Sequence, residues 1–305
     1  TSFIKPACSG TTWLNNTLEL ERNGWQKPIE FSVKARDNKT DLFGIMYMPS
    51  YYNENEKYPI LNYIYPGPQS GSVGNYSFVV ARRDFQALAE LGFVVVSVDA
   101  MGTPGRSKSF HDAYYGNMGD NGLPDNITTI EQLSKKYKAM DLSRVGIWGH
   151  SGGGFASTAA LLRYPDFYDL AVSSSGNHDN RNYEADWGEK WHGLLTPLNL
   201  NSSDGKTDFD STKTNYDIQA NQLLVENLKG KLLIAHGMLD DNVPPSNTMV
   251  VVDALIKANK DFDLLLFPNK RHGYGDLSNY MMRRKWDFFV KHLKGLDPPK
   301  NFSFK

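Results

Sequence analysis

A single cysteine, Cys8, excludes an intramolecular disulfide. A lone thiol fits either a reducing compartment or a secreted protein that does without bridges. No apolar run approaches the roughly 18 residues that a membrane-spanning helix needs. Neither sign of charge is in excess: 33 lysines and arginines stand against 34 aspartates and glutamates, a formal net charge of −1. With the cations dispersed, nothing forms the basic footprint of a nucleic-acid binder. No internal repeat and no low-complexity tract is visible. A signal peptide is also missing, and the first residue is Thr, as expected of a processed chain. Six Asn-x-Ser/Thr sequons begin at Asn15, Asn38, Asn75, Asn126, Asn201 and Asn301. In an asparagine-rich chain some arise by chance, and they carry little weight for glycosylation.

What is present is ordinary globular material: 305 residues, 40% hydrophobic, with 16 Tyr, 16 Phe and 6 Trp. That is ample for one large core. The first thirty residues are weakly periodic and read as an arm or the remnant of an upstream region; residues 31–305 read as one folded domain. Alternating runs around Asp37-Asn38-Lys39 predict an antiparallel hairpin, and YPILNYIYPG a buried strand. FVVARRDFQALAELG, residues 78–92, has helical spacing and a glycine stop, and FVVVSVDA is a β-branched run buried on both faces. NITTIEQLSKKYK, GGFASTAALLRYP, NYDIQANQLLVENLKG, PPSNTMVVVDALIKANK and NYMMRRKWDFFVKHLKG are predicted helices. SRVGIWG, YDLAVSSSG, KLLIAHG and FDLLLFP are the strands between them. Such alternation predicts an α/β fold, a mostly parallel central sheet with helices on both faces.

Residues 177–215 break the rhythm. They are polar, aromatic and irregular, and a long excursion in a compact domain is usually functional or disordered. Trp187 and Trp191, four apart, predict a short helix with one aromatic face. In the last helix, Met282, Trp286, Phe289 and Leu293 form a stripe that faces either the core or a dimer partner.

Gly149-His150-Ser151-Gly152-Gly153 matches G-x-S-x-G between a predicted strand and a predicted helix. In that context a serine sits on a strained turn, its hydroxyl displayed, while glycines remove side chains that would collide. A serine hydroxyl is a poor nucleophile without a base and a group to orient that base. KLLIAHG leads into MLDDNV, which brings Asp240 and Asp241 beyond a strand's carboxyl end, and FDLLLFP leads into NKRHGYG, which brings His272 there. Open α/β sheets build sites at those ends, and the chain order Ser, Asp, His is that of α/β-hydrolases. The residues therefore predict a triad of Ser151, His272 and Asp240, with Asp241 the rival acid. The backbone N–H of Gly152 is an expected oxyanion donor.

These motifs, together with YIYPGP at 63–68, resemble the prolyl oligopeptidases, and within them the hydrolase domain of the dipeptidyl peptidase IV branch. The resemblance runs from about Pro28 to the C-terminus. It implies an α/β-hydrolase fold and favours Asp240, the first acid of HG-x-x-DDNV. It also implies an oxyanion-binding phenol at Tyr65, whose ordinary reading is a core aromatic at the sheet rim. His178, Trp187, Trp191 and Val243 are implied walls of the pocket for the residue before the scissile bond; their ordinary reading is packing.

Two departures matter. A bulky aromatic follows the nucleophile in that branch, whereas Gly152 stands here, so a wider pocket is expected. The branch also carries a β-propeller with an acidic pair for the substrate's amino terminus, and these residues supply neither.

The expected function is a serine peptidase acting on short peptides, after proline or a small residue, through an acyl-enzyme. A carboxylesterase on the same triad is the alternative within enzymes, and a non-catalytic dimerisation or binding domain the alternative outside them. No cofactor and no metal are expected: the glycine run lacks the Gly-Lys-Ser/Thr of a phosphate loop. His111-Asp112 and His178-Asp179 have no zinc-like spacing. His236 is expected to pack below the site, and His150 to point away from it. Expected partners are a peptide substrate, a second copy of the chain and, unless the domain is a stand-alone hydrolase with another preference, an upstream propeller outside these residues. A periplasmic or secreted location follows from family habit.

Overall fold

The computed structural model describes residues 17–74, 79, 81–201 and 207–304, with the backbone alone for 198–201 and 207–212. Cys8, Asn15 and Asn75 lie outside the described residues, as does most of the expected arm.

Strand β1 (Ile29–Lys34) pairs antiparallel with β2 (Asp41–Tyr47). The Asp37 carboxylate closes their turn by accepting the Lys39 and Thr40 N–H groups at 2.9 and 2.8 Å. Then come β3 (Tyr58–Tyr63), α1 (Phe85–Glu90), β4 (Val94–Asp99), α2 (Lys108–Asp112) and α3 (Leu123–Lys136). They are followed by β5 (Met140–His150), α4 (Gly152–Arg163) and β6 (Leu170–Ser174). The excursion holds α5 (Ala185–His192) and an antiparallel pair, β7 (Pro197–Asn201) and β8 (Thr207–Thr214). The chain closes with β9 (Lys231–Gly237), α6 (Ser246–Lys257), β10 (Asp263–Phe267) and α7 (Ser278–Lys294).

Eight strands form one sheet in the order β1-β2-β4-β3-β5-β6-β9-β10. Pairing is antiparallel from β1 to β4 and parallel from β4 to β10. The parallel interior explains the unbroken apolar runs, because every residue of β3, β4 and β6 is buried. Along β5 the alternation divides the core. Val145 and Ile147 join α3, α4 and α6 on one face, and Trp148 joins α1 and α7 on the other. Phe289 and Leu293 of the α7 stripe are buried in this second core, so that stripe faces inward.

Three segments depart from the sequence reading. Among the described residues of the helix expected over 78–92, only Phe85–Glu90 is helical, because Arg83 adopts a left-handed backbone (φ 50°) that no α-helix tolerates. The helix expected over 215–230 is instead two 3-10 turns, Asp217–Gln219 and Asn221–Asn227. Here side chains compete with the helical ladder: Asp217 accepts the Thr214 N–H, and the Asn221 amide donates to the Phe155 carbonyl. The β7–β8 pair was not foreseen either: β7 alternates Leu198 and Leu200 with asparagines over a short stretch, and β8 has Phe209 as its one apolar residue.

Candidate active site

Close backbone approach explains the glycines around Ser151. A Cβ on Gly149 would lie 2.5 Å from the Ile64 carbonyl oxygen, on Gly153 2.3 Å from the same atom, and on Gly154 2.3 Å from the Ser174 oxygen. No real side chain fits there. Between them Ser151 is held at φ 59°, ψ −122°, a conformation disfavoured for any residue with a Cβ. Its N–H donates to the Ser174 carbonyl at 2.8 Å, and its own carbonyl accepts the Phe155 N–H at 3.0 Å. Strain of this kind costs about 1–3 kcal/mol and persists only where the surroundings over-determine it.

Two strands away, the loops after β9 and β10 meet. His272 Nδ1 lies 2.7 Å from Asp240 Oδ2. The other carboxylate oxygen accepts the N–H groups of Asn242 and Val243 at 3.0 and 2.9 Å. His236, wholly buried, brings Nε2 to 3.3 Å from Asp240 Oδ2, while its Nδ1 faces the Thr248 hydroxyl at 2.7 Å. Burial works against ionising Asp240, but hydrogen bonds from His236, His272 and the Val243 N–H outweigh it and hold the carboxyl well below its ordinary value. An ionised Asp240 accepts a hydrogen bond from the Nδ1–H of His272, so the lone pair of that ring sits on Nε2. Asp241 is exposed and pairs with Arg271 instead, which removes it from the contest.

Among the described residues the Ser151 hydroxyl is not yet hydrogen-bonded to this imidazole; it interacts with the Tyr65 phenol. Such bonds commonly tighten only around bound substrate. Tyr65 is anchored by its N–H, which donates to Ser72 Oγ at 2.8 Å, and by Gln69 Nε2, which donates to its hydroxyl at 3.0 Å. Burial raises the phenol above its ordinary value, while the contacts with Ser151 and Gln69 pull it back. A Cβ on Gly152 would meet only Tyr65 Cζ, at 4.0 Å, so the phenol and the Gly152 backbone share one side of the serine.

His150 does not point away. Its ring packs 4.5 Å from that of His272, centroid to centroid, and Nδ1 lies 3.0 Å from Ser174 Oγ. Burial, with the nearby His272, pushes its imidazole down to about 3, so it stays neutral beside the other ring. Tyr274 ties the same corner together, its hydroxyl 2.6 Å from Ser174 Oγ.

The excursion forms a wall beside this floor. The Tyr183 hydroxyl donates to Asn242 Oδ1 at 2.9 Å, and its ring meets Trp187 at 6.2 Å. Trp187 meets Trp191 at 6.2 Å, and Trp191 packs on His111, whose Nε2 lies 2.7 Å from the Pro68 carbonyl. The wall thus runs from the DDNV loop to the loop after Tyr65.

His178 and Val243, expected as wall residues, have no accessible surface. His178 is drawn inward because its Nδ1 accepts from the Asn221 amide at 3.1 Å, and the Val243 backbone braces Asp240 and His236. Sequence reasoning missed Tyr183 and misplaced His150; only the aromatic, polar character of the excursion signalled the first. Among the described residues no group of three His, Cys, Asp or Glu is placed to hold a metal ion, and no helix is long and apolar enough to cross a membrane.

A model of the prolyl oligopeptidase family matches residues 79–296. The chain belongs to that family. It is 30% identical to human dipeptidyl peptidase 8 over 248 residues, 80% of this chain and 26% of that protein. It is 27% identical to bovine prolyl endopeptidase FAP over 282 residues, 92% of this chain and 35% of that protein. The crystal structure of Porphyromonas gingivalis dipeptidyl peptidase 4 superposes with a TM-score of 0.75 at 26% identity, over 92% of this chain and 38% of that one. The chain therefore spans about a quarter to two-fifths of the length of these relatives. Its strand order is that of an α/β-hydrolase domain.

Proposed function

We propose that this domain is a serine peptidase that works through an acyl-enzyme, with Ser151 as nucleophile. His272 Nε2 takes the Ser151 proton as the hydroxyl attacks the scissile carbonyl, then returns it to the leaving amine. Asp240 holds the imidazole in that tautomer and stabilises its charged form. The Tyr65 hydroxyl and the Gly152 N–H meet the developing oxyanion. The observation that carries this reading is the convergence, at one rim of the sheet, of a strained serine, a carboxylate-bound imidazole and a phenol.

Peptides with proline or a small residue before the scissile bond are the proposed substrates, held against Tyr183 and Trp187. Capture of the substrate's amino terminus belongs, in this reading, to a region outside these residues. A homodimer and a periplasmic or secreted location rest on family likeness. The open space over Gly152 supports a second reading, hydrolysis of bulkier esters on the same triad.

A fluorophosphonate should label Ser151, and the label should vanish in Ser151→Ala and His272→Ala. Persistent labelling of either variant overturns the triad, and no labelling of the parent protein returns the domain to a binding role. Rates on Gly-Pro-arylamide and p-nitrophenyl acetate then separate peptidase from esterase.

A further inference from the structure

Beside the triad lies a cavity of about 360 Å³ that the mechanism above does not use. Its walls are Tyr63, Trp148, Met281 and Met282, and one side is the ring of His150. That volume and that lining are typical of pockets for small organic groups. His150 is the shared partition, since its ring also packs on His272.

Three charged residues border the cavity. Lys285 and Asp84 neutralise each other at 2.7 Å, and the Trp286 indole donates to the same carboxylate at 2.7 Å. Arg83 is left over. It is exposed, stands 4.7 Å above the Tyr63 ring and forms no ion pair among the described residues. Its backbone is left-handed at φ 50°, a conformation costly for arginine that throws the side chain toward the cavity rather than along α1. The positive charge reaches both the His150 imidazole and the Tyr65 phenol, where it is one of the smaller influences.

Building on the proposed peptidase activity, we infer that this cavity receives the leaving portion of the substrate and that Arg83 binds its free terminal carboxylate. The direction follows from proton transfer. His272 must protonate the departing nitrogen, so the leaving group lies on the imidazole's side, where His150 and the cavity are. The acyl portion lies against the excursion, on the Tyr183 side. An aromatic-walled cavity with one uncompensated guanidinium suits a short apolar leaving peptide that ends in a carboxylate. Arginine meets a carboxylate with paired N–H donors, a strong form of charge-assisted hydrogen bond.

The test uses two peptides identical through the scissile bond, one with a free carboxyl terminus on its leaving dipeptide and one amidated there. The parent protein should cleave the acid with kcat/KM about tenfold above the amide, the scale of one charge-assisted contact. In Arg83→Gln that ratio should fall to near one, and Arg83→Lys should restore part of it. The amide, cleaved by every variant, reports folding. Titrated calorimetrically into Ser151→Ala, the acid should bind about tenfold tighter than the amide, and the preference should vanish once Arg83→Gln is added. Equal handling of acid and amide by the parent, or an unchanged ratio in Arg83→Gln, overturns the inference while leaving the peptidase reading intact. Absence of hydrolysis of both peptides and of Gly-Pro-arylamide sinks that reading, and this inference with it.

Discussion

Around Ser151 the backbone sets the geometry: Gly149, Gly153 and Gly154 let three chain segments touch, and the Ser151 N–H is fixed on the Ser174 carbonyl. Around Trp187 side chains set it. Arg181 clamps Asp179, with Nη2 at 2.7 Å, and Asp217, with Nη1 at 2.6 Å, and the Asn247 amide oxygen accepts the Asp179 N–H at 3.0 Å. Close-packed main chain leaves no room to move, because any displacement breaks contacts on several strands at once. A wall hung on ion pairs and amides can shift by rotamer changes. Chemistry that tolerates little misplacement therefore sits on the floor, and the surface that selects a substrate sits on the wall.

Perturbing the floor should cost most. Asp240→Asn keeps the shape but leaves the imidazole without its anion, and kcat should fall on the order of 10⁴-fold; a loss under tenfold would mean another group orients His272. Tyr65→Phe should lower kcat on the order of 10²-fold with an unchanged melting temperature, since only one oxyanion donor is lost. A parental rate there would return Tyr65 to the core.

On the wall, Arg181→Gln should raise KM roughly tenfold and leave kcat within about twofold. A collapse of kcat instead would erase the distinction between floor and wall.

A further effect concerns pH. Burial pushes the His178 imidazole down to about 3 in the folded chain, against an ordinary value of 6.5. Below pH 6.5 the unfolded chain takes up a proton that the folded one refuses, so stability falls with pH down to about 3. It falls by up to about 1.4 kcal/mol per pH unit. Chemical denaturation at pH 7 and pH 5 should show a shallower loss in His178→Gln; an identical loss would mean that the ring is not kept neutral.

Much of the floor is legible in the sequence, because its signals are local. A small-residue turn between a strand and a helix, HGMLDDNV and RHGYG each name a position and a chemistry within a few residues. Choosing Asp240 over Asp241 needed the resemblance, and the structure gives the reason: one carboxylate is buried against two imidazoles while the other meets Arg271 in solvent. The wall was far less legible. Tyr183 acquires its place only by reaching Asn242, 59 positions on. His178 carried a pocket expectation and turned out to be packed behind the pocket. The misread helices at 78–92 and 215–230 failed for a related cause, since periodicity counts apolar positions and is blind to a left-handed Arg83 or to Asn221 bonding across to α4.

What the sequence by itself determined is the alternation of buried strands and amphipathic helices, and with it the rule that residues following β5, β9 and β10 gather at one rim. Periodicity and turn chemistry act over a few residues, so a chain displays them openly. Tertiary structure alone decided which rings touch: His150 on His272, Tyr183 on Trp187, and Arg83 over Tyr63 beside a cavity. Those contacts depend on the twist of the sheet and on side-chain directions set by neighbours dozens of residues away, and no local pattern encodes either.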